Sequence, residues 1–127
     1  MKILVVDDNK TILDSLSTVL FNQGYFVSTA RHGLGASEKL QNDYYDLVIV
    51  DHLMPIMNGI QLTKHIRQHD VLADIPVIFM TTQGRKAVEL VCNTDIFSAI
   101  IEKPINEKIL LKLLNDLLSP NTLYQLL

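Results

Sequence analysis

The sequence is poor in the features that mark secreted, membrane-spanning and nucleic-acid-binding chains. Its one cysteine, Cys92, cannot form an internal disulfide, and its apolar opening run at 3–6 is far too short for a signal-peptide core or a membrane span. The formal net charge is −3, and the eleven Lys and Arg residues are scattered along the chain. We therefore expect a cytoplasmic protein without direct contact to nucleic acid or membrane, in which Cys92 is a small packed or partly exposed hydrophobic residue rather than a reactive thiol.

Strand-like apolar runs alternate with segments of helical period along the 127 residues. Strands are predicted at 3–6, 25–29, 47–50, 76–80 and 97–101, and helices at 11–23, 35–43, 59–69, 85–93 and 106–118. The first, third and fourth strands are continuously apolar, as strands of a parallel sheet covered on both faces must be. The pattern predicts one α/β domain over residues 1–118, a doubly wound five-stranded parallel sheet, with 119–127 as a short tail or the start of a linker.

Polar side chains stand where these predicted strands end. They are Asp7 and Asp8 after the first strand, Asp51 after the third, Thr81 after the fourth and Lys103 after the fifth. In an open parallel sheet the carboxyl ends of the strands share one edge, and ligands bind there where the strand order reverses. Three acids, a hydroxyl and an ammonium are therefore predicted to converge.

The carboxylates of this set need a compensating cation. An ionised carboxylate at the end of a buried strand is costly unless a cation meets it, and packed carboxylates repel one another. Oxygen ligands of this number suit Mg²⁺. An aspartate can then attack phosphorus, while a lysine and a hydroxyl stabilise the phosphoryl oxygens. Asp51, Lys103 and Thr81 fill these roles, so the sequence predicts an Mg²⁺-dependent aspartyl phosphate.

Four short motifs resemble the receiver domain of two-component response regulators over residues 1 to about 118. They are "VVDD" closing the first strand, "DHLMPIMNG" after the third, Thr81 five residues after Pro76, and "KP" at Lys103 and Pro104. Each is weak alone, but they occur in the right order and structural context. The resemblance implies a flavodoxin-like (βα)5 fold with strand order 2-1-3-4-5.

The resemblance also implies roles for single residues. Asp51 would accept a phosphoryl group from the phosphohistidine of a histidine kinase or a histidine phosphotransfer protein. Asp8, Asp51 and the backbone carbonyl of Leu53 would ligate Mg²⁺, and Asp7 would hold a metal-bound water.

Further implications concern the switch and its partners. Thr81 would follow the phosphoryl group by a shift of its hydroxyl, and Lys103 would pair with a phosphoryl oxygen. The resemblance also implies that the peptide bond from Lys103 to Pro104 is cis. The last predicted helix carries apolar residues over about half its circumference, so part of it is expected to be exposed. That face, with the fourth helix and fifth strand, is expected to bind an output partner or form a homodimer.

Some positions depart from the family pattern. Leu53 and Thr82 are expected to restrict access of water to the phosphoryl group, which predicts a long-lived phosphorylated form with slow self-dephosphorylation. Ile100 stands where the family often carries a Tyr or Phe that swings inward on activation, and "TDIFSA" replaces a turn of small residues. Coupling is therefore expected to pass through Thr81 and the loop at 82–86.

Each selected residue also has an ordinary interpretation. Asp7 and Asp8 could cap the first helix, although that role does not explain Asp51 and Lys103. His65 and His69 have the i, i+4 spacing of zinc ligands, but with Arg67 and Gln68 between them a solvated helix face is favoured. His52 is expected to point away from Asp51, as strand neighbours do.

Rival functions remain at the level of the whole chain. A haloacid-dehalogenase-type phosphatase also uses an Asp nucleophile, but "DDNKT" lacks the D-x-D-x-T pattern and no cap segment is present. A flavodoxin-like electron carrier would need a first loop that cradles phosphate, whereas this loop is acidic. A degenerate receiver, acting as a protein-interaction module without phosphorylation, is favoured by Ile100 and the altered turn.

Overall fold

The computed structural model describes residues 1–119, in which five strands alternate with five helices. The strands are β1 (Lys2–Val6), β2 (Phe26–Ala30), β3 (Leu47–Asp51), β4 (Val77–Thr81) and β5 (Ala99–Glu102). The helices are α1 (Lys10–Asn22), α2 (Gly33–Asn42), α3 (Gly59–Gln68), α4 (Arg85–Val91) and α5 (Glu107–Leu118), and a 3₁₀ turn at Thr94–Ile96 precedes β5.

All neighbouring strands pair in parallel, in the order β2-β1-β3-β4-β5. The chain runs outward from β1 to β2 and then returns to the other side of β1 with β3. The reversal therefore lies between the carboxyl ends of β1 and β3, which is where such sheets bind ligands. The predicted flavodoxin-like (βα)5 fold with strand order 2-1-3-4-5 is confirmed.

Two apolar cores cover the two faces of the sheet. In β1, Leu4 and Val6 point into the core beneath α2 and α3, while Ile3 and Val5 point into the core beneath α1 and α5. All four side chains are fully buried. Successive side chains of a strand point to opposite faces, so a strand with helices on both sides must be apolar throughout.

Element ends differ from the prediction where a side chain caps the backbone. The second helix begins at Gly33 rather than at residue 35, because the ring Nδ1 of His32 accepts a hydrogen bond from the backbone N–H of Gly35 at 3.0 Å. The fourth helix ends at Val91, two residues early, and Asn93 caps the unpredicted 3₁₀ turn by accepting from the N–H of Asp95.

The last helix packs by two fully buried side chains, Leu110 and Leu114, and leaves Ile109 exposed. Partial exposure of this helix was predicted. The expected tail at 119–127 lies, apart from Ser119, outside the described residues. None of the helices described within residues 1–119 has the length and apolarity that crossing a membrane requires.

Candidate functional site

Three strand ends bring an ammonium between two carboxylates. Asp7 follows β1, Asp51 is the last residue of β3, and Lys103 follows β5. The Nζ of Lys103 lies 2.7 Å from the Oδ1 of Asp51 and 2.8 Å from the Oδ2 of Asp7. Asp7 is fully buried and Asp51 is 6% exposed. The peptide bond from Lys103 to Pro104 is cis, as predicted.

Asp8 joins Asp7 and Asp51 in an acidic cluster and is its solvent-exposed member. One carboxylate oxygen from each of Asp7, Asp8 and Asp51 lies within 4.8 Å of the others. No other group of three potential metal ligands occurs among residues 1–119. Carboxylate oxygens next to open solvent are the donors that Mg²⁺ takes in proteins while keeping several waters. The residues present therefore fit a magnesium ion.

The surroundings of Asp51 and Lys103 raise the pKa values of both side chains. Burial raises the pKa of Asp51, and the charges of Asp7 and Asp8 add to that shift against the hydrogen bond from Lys103. Burial opposes the charge of Lys103, but its hydrogen bonds to Asp51 and Asp7 outweigh burial and raise its pKa. The ionised Asp51 is thus held at a cost that a further cation would relieve.

Asp7 is fixed by the turn that leads into α1. Its Oδ1 accepts from the N–H of Asn9 at 2.9 Å, and its own N–H donates to the carbonyl of Ala30 at 3.1 Å. The cap of α1 is Asn9, whose Oδ1 accepts from the N–H of Thr11 at 2.9 Å. The alternative that Asp7 or Asp8 caps the first helix is therefore wrong.

The loop from Asp51 to α3 is held by backbone contacts. His52 donates its N–H to the carbonyl of Met80 and accepts at its own carbonyl from the N–H of Gly59, both at 2.9 Å. A Cβ on Gly59 would lie 2.1 Å from the carbonyl oxygen of Asp51, so only glycine permits this approach. Between them Ile56, 92% exposed, has a φ of 69°, which is the left-handed region that β-branched residues avoid.

Thr81 lies at the end of β4, fully buried beside the cluster. Its Oγ1 accepts from the N–H of Gln83 and lies 3.0 Å from the Nδ1 of His52. Burial lowers the pKa of His52, which favours the neutral ring. The sequence interpretation gave His52 no part in the site, because no local pattern shows which side chains meet across β3 and β4.

The single residues that depart from the family pattern lie within three sequence positions of Asp51, Thr81 or Lys103. The side chains of Leu53 and Thr82 are exposed, whereas Ile100 is half-buried opposite Phe79 in the pairing of β4 with β5.

The histidine pair, His65 in α3 and His69 directly after it, lies outside the acidic cluster. His65 is exposed, and the Nδ1 of His69 accepts from the N–H of Val71 at 3.3 Å. Between them Gln68 is exposed but Arg67 is half-buried, so the face that we predicted to be solvated is only partly so. The guanidinium of Arg67 donates to backbone carbonyls of Ile96 at 2.9 Å, of Ala73 at 3.0 Å and of Ile75 at 2.6 Å.

Comparison with known proteins identifies the family. The family model described as the response regulator receiver domain matches residues 3–115. The chain belongs to this family. This receiver domain is 37% identical over 123 residues to the chemotaxis protein CheY1 of Helicobacter pylori, which covers 95% of this chain and 99% of that protein.

Solved structures agree with the family assignment. The chemotaxis protein CheY4 of Vibrio cholerae superimposes with a TM-score of 0.84 at 31% identity, covering 91% of this receiver domain and 97% of that chain. A response regulator from Chloroflexus aurantiacus superimposes with a TM-score of 0.86 at 28% identity, covering 93% and 97%.

A longer relative shows the same similarity over part of its length. The receiver domain is 42% identical over 83 residues to the transcriptional regulatory protein CpxR homolog of Haemophilus influenzae. That alignment covers 65% of this chain and 35% of the regulator, so the matched segment is about a third of that protein.

Proposed function

We propose that this receiver domain is a phosphorylatable switch in which Asp51 accepts a phosphoryl group from the phosphohistidine of a histidine kinase or a histidine phosphotransfer protein. The observation that carries the proposal is that Asp51 belongs to the acidic cluster and also contacts the ammonium of Lys103. A carboxylate used only for packing or solubility has no need of both.

The transfer is a direct displacement at phosphorus. An oxygen of Asp51 forms the new O–P bond while the P–N bond to the donor histidine breaks, and the imidazole leaves with the electron pair of that bond. Asp8, Asp51 and the backbone carbonyl of Leu53 would hold Mg²⁺, with Asp7 holding one of its waters, and the ion would supply charge neutralisation at the phosphoryl oxygens.

Two side chains of this chain adjust to the new group. Lys103 exchanges its contact with Asp51 for one with a phosphoryl oxygen and keeps its hydrogen bond to Asp7. The hydroxyl of Thr81 turns toward the phosphoryl group and gives up the N–H of Gln83. The loop that leads to α4 therefore changes when Asp51 is phosphorylated.

Slow self-dephosphorylation follows from the surroundings of the acyl phosphate. The side chains of Leu53 and Thr82 are exposed, and we propose that they restrict the approach of water to the phosphoryl group. We expect Leu53→Asn to shorten the lifetime of the phosphorylated protein severalfold, measured by intact mass after the donor is removed. A phosphoryl group that is lost equally fast from both proteins would exclude this role of Leu53.

The output surface is proposed on the face formed by α4, β5 and α5. Leu90, Val91 and Ile109 are exposed there, and apolar side chains of this kind favour a protein partner or a second copy of the chain. The cytoplasm stays the expected compartment, because the single cysteine offers no internal disulfide. Residues 1–118 are proposed as the whole receiver unit.

Intact mass spectrometry tests the phosphorylation. Incubation with acetyl phosphate and Mg²⁺ is expected to add one phosphoryl group to the wild-type chain and none to Asp51→Asn, and EDTA is expected to prevent the gain. Asp70→Asn removes an exposed acid on the same domain and is expected to behave as wild type.

Failure with both a small donor and a phosphohistidine donor would contradict the proposal. It would favour the degenerate receiver that acts as an interaction module, which Ile100 supports because the family's aromatic is absent. Turnover of many phosphate esters would instead indicate the phosphatase, and flavin binding the electron carrier.

A further inference from the structure

The Thr81 hydroxyl makes two contacts, and His52 provides one of them. Its Oγ1 accepts from the N–H of Gln83 at 3.0 Å and lies 3.0 Å from the Nδ1 of His52. Both side chains are buried, Thr81 completely and His52 to all but 8%. The contact joins residues 29 positions apart, on β4 and directly after β3. It therefore depends on the tertiary fold rather than on a local turn.

The direction of this hydrogen bond follows from the donor inventory of a hydroxyl. Thr81 has one proton to donate, and the N–H of Gln83 already uses one acceptor position of its oxygen. Within residues 1–119, the Nδ1 of His52 is the one atom besides the N–H of Gln83 that is paired with this hydroxyl, and it can donate or accept according to the tautomer of the ring. A buried hydroxyl proton without an acceptor is costly. The hydroxyl consequently donates to Nδ1, and the ring proton lies on Nε2.

We infer that His52 is a positioning residue that holds the Thr81 hydroxyl in its unphosphorylated position. A hydroxyl that donates to the Nδ1 of His52 has no proton left for a phosphoryl oxygen on Asp51. Phosphorylation must break this hydrogen bond before Thr81 can turn, so His52 sets part of the balance between the two states. The role in switching rests on the proposed function, whereas the hydrogen bond itself does not.

The ring of His52 is also the first of three aromatic rings in contact. Its centroid lies 5.0 Å from that of Phe79, which stacks at 4.1 Å on Phe97. Phe97 directly follows the 3₁₀ turn at Thr94–Ile96 and lies two residues before the first residue of β5. A movement of the His52 ring would therefore change the packing of Phe79 and Phe97, which extends toward the proposed output face. These contacts use a position other than Ile100, where the family's aromatic is absent.

Nitrogen NMR of the imidazole tests the hydrogen bond in the unphosphorylated protein. We expect His52 to be the Nε2–H tautomer, with an Nδ1 signal shifted by an accepted hydrogen bond. In Thr81→Val that signal should move to the value of a free acceptor nitrogen. Thr82→Val removes the hydroxyl of the next, exposed residue and should leave it in place. An Nδ1 that carries the proton, or a signal unaffected by Thr81→Val, would overturn the inference.

Binding of beryllofluoride, a phosphoryl mimic, tests the effect on the switch. His52→Phe keeps a ring but removes the acceptor, and we expect it to bind beryllofluoride in the presence of Mg²⁺ about fivefold more tightly than wild type, the factor for one net hydrogen bond. His52→Asn keeps an acceptor close to the position of Nδ1 and is expected to remain within about twofold of wild type, since its hydrogen bond replaces the lost one.

A double-mutant cycle separates this role from ordinary packing. In a Thr81→Val background the hydroxyl is absent, so His52→Phe should no longer change the affinity for beryllofluoride. An equal change in both backgrounds would show that His52 acts through packing and would overturn the positioning role, as would unchanged affinity of His52→Phe alone. Wild-type protein that binds no beryllofluoride contradicts the proposed function instead, and the imidazole signals then still decide whether His52 holds the Thr81 hydroxyl.

Discussion

The Nζ of Lys103 lies 2.7 Å from the Oδ1 of Asp51, so the two charges are in direct contact. Asp7, fully buried, shares the same ammonium. Lys103→Met would leave both carboxylates without their cation, so we expect the free energy of unfolding to fall by about 3 kcal/mol. Urea denaturation in EDTA at neutral pH measures it. Lys64→Met, at an exposed lysine, is the matched control, and an equal loss there would contradict the prediction.

Asp51→Asn is expected to act in the opposite direction and stabilise the protein. Burial and the charges of Asp7 and Asp8 disfavour the ionised Asp51, and Asp7 remains to pair with Lys103. We expect a gain of about 0.5–2 kcal/mol at pH 7 without metal, the usual range for a single stabilising substitution. Thermal denaturation in EDTA measures the gain.

The pH dependence of that gain follows from the raised pKa of Asp51. The folded protein binds this proton more tightly than the unfolded chain, so the contribution of Asp51 to stability falls as the pH rises from the unfolded pKa, near 3.8, through the folded pKa. The advantage of Asp51→Asn should therefore vanish near pH 3.8 and be largest above the folded pKa. A difference that is constant with pH would contradict this assignment.

Asp8 is expected to strengthen Mg²⁺ binding but to contribute little to the stability of the metal-free protein. Its side chain is exposed, so Asp8→Asn is expected to change stability by less than about 0.5 kcal/mol in EDTA. Mg²⁺ at a hundred times its dissociation constant should stabilise the wild type by about 2.7 kcal/mol, because it binds only the folded state. At the same concentration Asp8→Asn should gain far less. Asp14→Asn, another exposed acid, should respond like the wild type.

Ile56 stores backbone strain that a substitution can release. Its φ of 69° costs a β-branched residue about 1–2 kcal/mol, whereas Asn tolerates this region, so Ile56→Asn should raise the free energy of unfolding by about 1 kcal/mol. Val71→Asn is the control, because Val71 is similarly exposed but is not among the positive-φ residues. Equal effects at both positions would show that lost apolar exposure, rather than relieved strain, explains the gain.

Gly59 should tolerate no side chain. The Cβ of Gly59→Ala would meet the carbonyl oxygen of Asp51 at 2.1 Å, so β3 and α3 would have to separate. We expect the free energy of unfolding to fall by about 3 kcal/mol or more, which urea denaturation measures. We also expect weaker Mg²⁺ binding, which calorimetric titration measures. At Gly35 the nearest atoms belong to the movable ring of His32, and Gly35→Ala should cost less than about 1 kcal/mol. Similar losses would contradict the prediction.

The fold and the cluster could be predicted because their signals are local in the sequence. Continuous apolar runs at β1, β3 and β4 identify strands covered on both faces, and parallel strands place their carboxyl ends at one edge. Asp7, Asp51 and Lys103 then converge whatever their side-chain conformations are. The acids and the lysine were therefore identified without knowledge of any contact.

The contacts that were missed depend on side-chain direction and on neighbours distant in sequence. His52 meets Thr81 only because β3 and β4 pair in one register. Arg67 was interpreted as solvated, since no helical pattern reveals that its guanidinium reaches the carbonyl of Ile96, 29 residues away. His32 caps α2 through its ring, a role that sequence rules assign to Ser, Thr, Asp and Asn.

The hydrogen bond between Lys103 and Asp7 spans 96 positions of the chain. In the strand order β2-β1-β3-β4-β5, the strands β3 and β4 lie between β1 and β5, so both must pair before the two groups can meet. A partly folded or truncated chain would retain Asp51 but not its ammonium partner. Under the proposed function, phosphorylation would then act as a built-in check of folding, because only molecules that had completed the sheet could receive and pass on a signal.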